Sequence, residues 1–233
     1  MVLSGKPPEQ ALLDAIKDRE NDCAFISNGR LLPERALASK LGISRVRVRH
    51  ILKELEQAGL VFRRRGQGTF VAPPPAADAG RIRVLASRIT PRELMEVRLE
   101  VEPALAALAA ERATFEELNR LRQLMQATLD ASDTDVYESA DEIFHYRLAE
   151  MAHNRLFLNI YNEIREVRKQ ASWMQQRKIT YSRSTIEQLG LQHRDLMNNV
   201  AARNSEAAAS VMRMHLLVVS NTLMRRRHYT SSF

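Results

Sequence analysis

Three consecutive prolines, Pro73 to Pro75, stand inside "VAPPPAADAG" at residues 71 to 80. Each fixes its own φ, lacks an amide hydrogen and turns the residue before it away from the helical region, so no helix or interior strand runs through this stretch. The Ala/Asp/Gly run that follows adds no regular element, and the chain divides here. We place a first domain at residues 1 to 72, a linker at 73 to 90 and a second domain at 91 to 233. The 233 residues suit one large or two small domains, and a hydrophobic share of 45% is ample for packed cores.

The two sides of the prolines carry different patterns. Upstream, Glu9 to about Arg19 has the period of a helix with Ala11, Leu12, Ala15 and Ile16 as its inner face. Pro33 introduces a second short helix through Leu41, and Gly42 stops it. The next stretch, "ISRVRVRHIL" at 43 to 52, alternates like a strand, but Val48, Ile51, Leu52 and Leu55 share a stripe only if the segment is helical. Ser44 caps that helix, because its hydroxyl can accept a free amide of the first turn. Arg45 and Arg49 then lie one turn apart, with Val46, His50 and Lys53 beside them on the exposed face. "LVFRRR" and "GTFVA" follow, two β-prone runs around Gly66-Gln67-Gly68 that signal a hairpin. Downstream the strand signal disappears. Residues 91 to 112, 114 to 130, 133 to 152, 154 to 174, 183 to 202 and 205 to 227 all carry helical periodicity, although Gly190 interrupts the fifth segment. The expected fold is mainly α: an antiparallel all-helical bundle of six or seven helices behind a small N-terminal module.

Charge points to a partner for that module. The chain carries a formal +7, and residues 28 to 72 hold ten Lys/Arg against three Asp/Glu. A basic block on a nearly neutral body suits a polyanion. Three helices and a hairpin, with the third helix cationic on its outer face, are the layout of a winged helix-turn-helix. Arg45 and Arg49 occupy the end of that helix which enters a major groove, where a guanidinium can grip guanine O6 and N7 and Val46 can touch a thymine methyl. Arg63 to Arg65 would stand at the wing, its glycines allowing close approach to the sugar-phosphate backbone. The single cysteine, Cys23, excludes an intrachain disulfide and a Cys-based zinc finger. No signal-peptide pattern opens the chain, and no stretch approaches the roughly 18 apolar residues of a membrane span, so a cytoplasmic protein without a membrane partner is expected.

Residues 31 to 71, "LLPERALASKLGISRVRVRHILKELEQAGLVFRRRGQGTFV", resemble the DNA-binding domain of the GntR family of bacterial transcription regulators. The likeness joins the helix-2 arginine, S-R-x-x-V-R, L-x-x-L-x-x-x-G-L and the G-x-G-T-F-V wing in order and spacing. It implies a double-stranded operator gripped by Arg35, Arg45, Arg49 and the Arg65-Gly66 turn, with Ser44 and Val46 adjacent. "LPERALA" is one residue shorter than the family's usual "LPSERELA" and lacks the serine that would cap helix 2.

In the second domain the histidines are spaced with a pattern. Asp141 and His145 are four residues apart and project from one helical face. His193 and His215 lie equally far on either side of Asn204, so they stand at one height, roughly 16 Å from that turn, if a helix pair closes there. The four are either separate hydrogen-bonded residues or one site for a borderline divalent ion: zinc, nickel or manganese. Residues 92 to 225 resemble the FCD ligand-binding domain of the FadR-type branch of GntR regulators, through "RELMEVRLEVEPALAALAAERAT", "DEIFHYRLAEMAHN", "QHRDLM" and "MRMHLL". That resemblance implies a metal held by Asp141, His145, His193 and His215, with Gln192 where a glutamate commonly precedes the histidine. It also implies an Arg98 facing the cavity, where it would bind a carboxylate effector; a helical ion pair with Glu102 is the other use of that arginine. Phe144, Met151, Phe157, Trp173 and Met212 form core or dimer seam. The expected function is a homodimeric, sequence-specific transcriptional regulator of the repressing kind, controlled by a small organic acid bound at the metal. A metal-dependent hydrolytic enzyme fused to a DNA-binding module is the alternative, but no matched nucleophile, base or HExxH helix completes it. An architectural DNA-compacting protein is a third possibility, against which the large, near-neutral body argues.

Overall fold

Leu12 and Ile16, one turn apart on helix α1 (Pro8–Lys17), are buried against Leu37 and Leu41 of α2 (Glu34–Leu41) and Val48, Ile51 and Leu52 of α3 (Arg45–Gln57). Helix α2 starts at Pro33 without a side-chain cap, as its shortened N-terminal motif requires. It ends at Gly42, whose φ of 67° is the left-handed conformation that glycine adopts without a Cβ clash. Two residues on, the Ser44 hydroxyl accepts the Arg47 amide at 3.2 Å and starts α3. The expected hairpin is present as β3 (Phe62–Arg64) and β4 (Gly68–Phe70), with Phe62 opposite Phe70. Two strands not foreseen, β1 (Ile26–Ser27) and β2 (Arg30–Leu31), extend it to a four-stranded antiparallel sheet in the order β1-β2-β4-β3. With two residues each, they are too short to show an alternation.

The computed structural model describes residues 7–17, 24–27, 29–57, 60–64, 68–71, 84–169 and 178–224. It separates the chain into two units, Met1–Pro74 and Pro75–Phe233. The Arg65-Gly66 turn, Trp173 and the first part of the expected linker lie outside the described residues.

Among the described residues the second unit has six long helices: α4 (Pro91–Arg112), α5 (Phe115–Leu129), α6 (Thr134–Met151), α7 (Arg155–Arg168), α8 (Arg183–Ala201) and α9 (Ser205–Met224). Each begins at a side chain that satisfies a free amide. Thr90 and Thr114 form reciprocal capping boxes with Glu93 and Glu117. Asp133, Asn154, Ser182 and Asn204 accept first-turn amides at the other four. Inside, Leu121, Phe144, Leu189, Leu196 and Leu216 are fully buried, each contributing about 1.5–3 kcal/mol relative to exposure. Gly190 lies within α8 rather than ending it. A Cβ there would meet Leu129 Cδ2 at 3.0 Å, so the glycine lets α8 pass close to the end of α5. Helix α9 corrects one expectation: an 18-residue window within its 20 residues has a mean hydropathy of 1.2, long and apolar enough by length and composition to cross a membrane. Its Ala208, Met212, Leu216, Val219 and Leu223 are buried in the bundle.

Candidate functional site

The first unit presents its cations outward. On α3, Val48 is fully buried while Val46, two positions earlier, is 75% exposed. The alternation of "SRVRVR" is thus one core valine and one surface valine on a helix. Arg45 is exposed beside Val46, and Arg35 is exposed on α2; among the described residues neither has an acidic partner. Arg49 does. Its Nε donates to Glu34 Oε2 at 2.7 Å, which ties α3 to α2 and leaves the terminal nitrogens of the fork as the reaching end. Arg63 of β3, expected at the wing, lies 3.8 Å from Glu34 and 3.7 Å from Glu56 and so is engaged within the module.

The second unit turns its polar groups inward. Asp141, His145, His193 and His215, all buried, offer one ligand atom each, and these atoms lie within 4.8 Å of one another. Asp141 and His145 come from α6, His193 from α8 and His215 from α9, the last two facing each other with ring centroids 4.6 Å apart. His145 Nε2 and His193 Nε2 are 3.2 Å apart, and each is 3.4 Å from Asp141 Oδ1.

The outer nitrogens of the three rings explain this orientation. His145 Nδ1 lies 2.8 Å from Glu102 Oε2 of α4. His193 Nδ1 lies 3.1 Å from the Thr128 hydroxyl of α5, which spends its own proton on the Met125 carbonyl and must therefore accept. His215 Nδ1 lies 3.2 Å from Gln192 Oε1. With the N–H of each ring directed outward, the Nε2 lone pairs converge, the arrangement in which imidazoles ligate metal. His215 Nε2 is buried without a hydrogen-bond partner. An orphaned acceptor among two more imidazole nitrogens and a carboxylate oxygen fits a divalent cation, and nitrogen-rich borderline ligands suit zinc, nickel or manganese.

Electrostatics agree with that chemistry. Burial pushes His193 down to about 3 despite Asp141 nearby, and burial together with the other two rings holds His215 well below the usual range. Burial alone would also depress His145, but Asp141 and Glu102 outweigh it and raise its pKa. Against the burial that would raise it, His145 and Arg168 hold Asp141 well below the ordinary carboxylate range. Burial thus disfavours the charged form of His193 and His215, while Asp141 and Glu102 favour that of His145.

Three of the groups around the centre escaped the sequence. Thr128 carries no signal of its own. Tyr161 and Arg168, both on α7 and seven residues apart, share its buried face, where a cation in an apolar stripe was the available sign. Arg168 Nη2 donates to Asp141 Oδ2 at 2.6 Å and turns Oδ1 toward the histidines. Arg98 takes the second of its expected uses: Nε and Nη2 close on Glu102 at 2.5 and 3.4 Å, both residues fully buried. Its fork is occupied in this arrangement. Phe144, Met151 and Met212 are buried as expected, whereas Phe157 is only partly covered. His153 lies near the surface, 3.2 Å from Glu117, away from this cluster.

Comparison with known proteins places the two units. Residues 9–71 match the family described as "Bacterial regulatory proteins, gntR family", and residues 93–217 match the FCD domain. The HTH-type transcriptional regulator LutR of Bacillus subtilis (strain 168) is 31% identical over 223 residues, covering 85% of this chain and 96% of that protein. The chain belongs to the GntR family. More narrowly, it is a GntR regulator with an FCD domain, a transcriptional regulator rather than an enzyme, which removes the hydrolase alternative. Other GntR relatives include the Uxu operon transcriptional regulator of Escherichia coli (strain K12), 30% identical over 95% of this chain and 88% of its own length. The putative L-lactate dehydrogenase operon regulatory protein of the same strain is 28% identical over 92% and 87%. Among solved structures, E. coli McbR/YncC has the same fold, with a TM-score of 0.52 at 19% identity over 97% of this chain and all of that one.

Proposed function

We propose that this GntR regulator is a homodimeric repressor whose hold on a double-stranded operator is set by a small carboxylate bound at a divalent ion in its helical body. The reading places it in the cytoplasm and gives it domains at residues 1–72 and 91–233 joined by a linker at 73–90. Arg45 and Arg49 grip guanine edges, Val46 lies beside them against a thymine methyl, and Ser44 fixes the start of their helix. Arg35 and the Arg65-Gly66 turn hold the backbone on either side. Asp141, His145, His193 and His215 hold the ion, zinc in the first instance and nickel or manganese as alternatives. When bound, such an ion supplies positive charge and open positions for oxygen ligands. Arg98 adds its charge to the effector side from within its pair with Glu102.

The observation that carries the reading is the convergence of three imidazole Nε2 atoms, each with its Nδ1 anchored from outside, on Oδ1 of Asp141, which also accepts the Tyr137 hydroxyl at 3.3 Å. The effector class is supported by the relative named for an L-lactate dehydrogenase operon, whose substrate is a carboxylate. The effector must favour one arrangement of the paired winged modules over the other, since equal binding to both would shift nothing. Two half-sites one helical turn apart, or a multiple, make dimer geometry a control on affinity without altering any base contact.

The test titrates selected operator DNA with the full-length protein, with and without metal and a carboxylate panel, alongside elemental analysis. Wild-type protein takes up one divalent ion per chain. Ion uptake competes with protonation of His145, whose pKa is raised in the folded protein, so ion affinity rises with pH and is read by repeating the titration at several pH values. His193→Ala loses the ion and the carboxylate response but still binds operator. A His193→Ala protein that keeps a stoichiometric ion, or an operator affinity indifferent to every carboxylate on loaded wild type, rejects the reading.

A further inference from the structure

Arg49 is 60% exposed at its side chain, yet it is tethered. Its Nε donates to Glu34 Oε2 at 2.7 Å, from α3 to the first residue of α2. The other oxygen of that carboxylate, Oε1, lies 3.8 Å from Arg63 Nη2 on β3, and Arg63 Nε lies 3.7 Å from Glu56 Oε2, back on α3. One carboxylate therefore joins α2, α3 and β3, and it is held in place both by the start of its own helix and by a second guanidinium. Helix α2 alone gives a reason for an acid at its start, where free amides favour negative charge. It gives no reason for that acid to face two arginines. An exposed ion pair contributes little to stability, and a negative charge beside a surface that meets phosphate opposes binding.

From this bridge we infer that Glu34 is a positioning residue for sequence discrimination: it holds Arg49 by Nε so that Nη1 and Nη2 face a base edge, and it opposes the diversion of Arg49 to a phosphate. This deepens the proposed function and rests on its assignment of Arg49 to a base. A guanidinium is planar and carries more than one donor edge, so the terminal nitrogens can take guanine O6 and N7 while Nε stays on a carboxylate. A long exposed side chain otherwise samples many rotamers, and ordering it would weaken every cognate complex; tethered to Glu34, it is ordered before DNA arrives. On the wrong sequence no base edge offers it two acceptors, and a phosphate is the stronger partner. Reaching that phosphate breaks the pair and leaves the Glu34 carboxylate unneutralised beside the duplex. Glu34 thus weighs against non-cognate complexes more than against the cognate one, and specificity is that difference. Arg45, one turn away, has no acidic partner among the described residues and so no such restraint.

The experiment uses full-length protein, prepared identically for every variant, with two duplex probes: one selected by the wild type from a random pool, and one of the same composition in scrambled order. Fluorescence anisotropy gives both affinities over a series of salt concentrations, and denaturant unfolding checks each fold. Glu34→Ala unfolds close to wild type, binds the scrambled duplex more tightly with a salt slope steeper by about one, and loses about tenfold of the preference for the selected duplex. Arg49→Ala loses about tenfold or more of the same preference. Adding Glu34→Ala to Arg49→Ala lowers the preference no further, a pattern that neither a structural role for Glu34 nor plain repulsion of phosphate produces. An undiminished preference in Glu34→Ala beside a loss in Arg49→Ala, or a further loss in the double variant, overturns the role of Glu34 and leaves Arg49 as a base reader. Wild-type preference in Arg49→Ala overturns the assignment of Arg49 and this inference with it.

Discussion

Arg45 stands open to solvent on a helix whose supporting contacts come from the neighbouring α2 and sheet, whereas Arg168, 5% exposed, is held to Asp141 on a different helix of the body. One guanidinium waits for a partner that arrives from outside; the other has been given a partner by folding. The difference shows in what surrounds them. Among the described residues the module gives Arg35 and Arg45 no acidic partner and restrains Arg49 through Glu34 at its Nε. In the body, carboxylates, guanidiniums and imidazoles pair with one another, and few buried polar atoms are left without a partner. A surface that must meet many DNA sequences keeps its charge solvated. A buried cluster has lost its water, so each of its polar groups depends on a partner supplied by the fold.

This contrast can be broken by mutation, and the largest effect belongs to the body. Asp141→Ala leaves the Arg168 guanidinium buried without its carboxylate, and the metal-free protein is expected to lose about 3–5 kcal/mol of stability in denaturant titration. Unchanged stability would mean that water reaches Arg168 freely and that the centre is not closed. Next comes Arg45→Ala, which should leave unfolding within about 0.5 kcal/mol of wild type, as an exposed position does. Its effect should appear instead as about 1–3 kcal/mol of lost discrimination between cognate and single-base-mismatched operator at fixed salt. Equal loss on all sequences would reduce Arg45 to a phosphate contact. Smallest is Ser44→Ala, removing the hydroxyl that accepts the Arg47 amide and costing about 1 kcal/mol of α3. Operator affinity that ignores the change would show that α3 is ordered by packing alone and that the Ser44 hydroxyl makes no contact with the operator.

The legible and illegible parts of the molecule follow the same division. The period of Val48, Ile51, Leu52 and Leu55, the glycine at 42 and the serine at 44 are local facts, and α2 and α3 could be placed from them. So could the six body helices, whose caps and stripes lie within each segment. Asp141 with His145, and His193 with His215, were legible because helical spacing and one antiparallel turn suffice to align them. The groups that hold them were not: Glu102 and Thr128 bind the His145 and His193 rings from 43 and 65 residues away, and Arg168 binds the Asp141 carboxylate from 27. No spacing rule spans such distances, because they depend on how whole helices pack. Arg98 illustrates the limit from the other side, as both its partners were foreseen and only the packed helix decides for Glu102. The strands β1 and β2 escaped for a simpler reason, being no longer than one period of the signal that identifies a strand.

All six body helices send at least one side chain to the cluster: Glu102 from α4, Thr128 from α5, Asp141 from α6, Arg168 from α7, His193 from α8 and His215 from α9. Whatever occupies that centre is fastened to the whole bundle at once, like a knot joining six cords. A tug there is felt along every cord, so a signal need not travel by any particular route to reach the edge of the bundle, and no single helix need be the messenger.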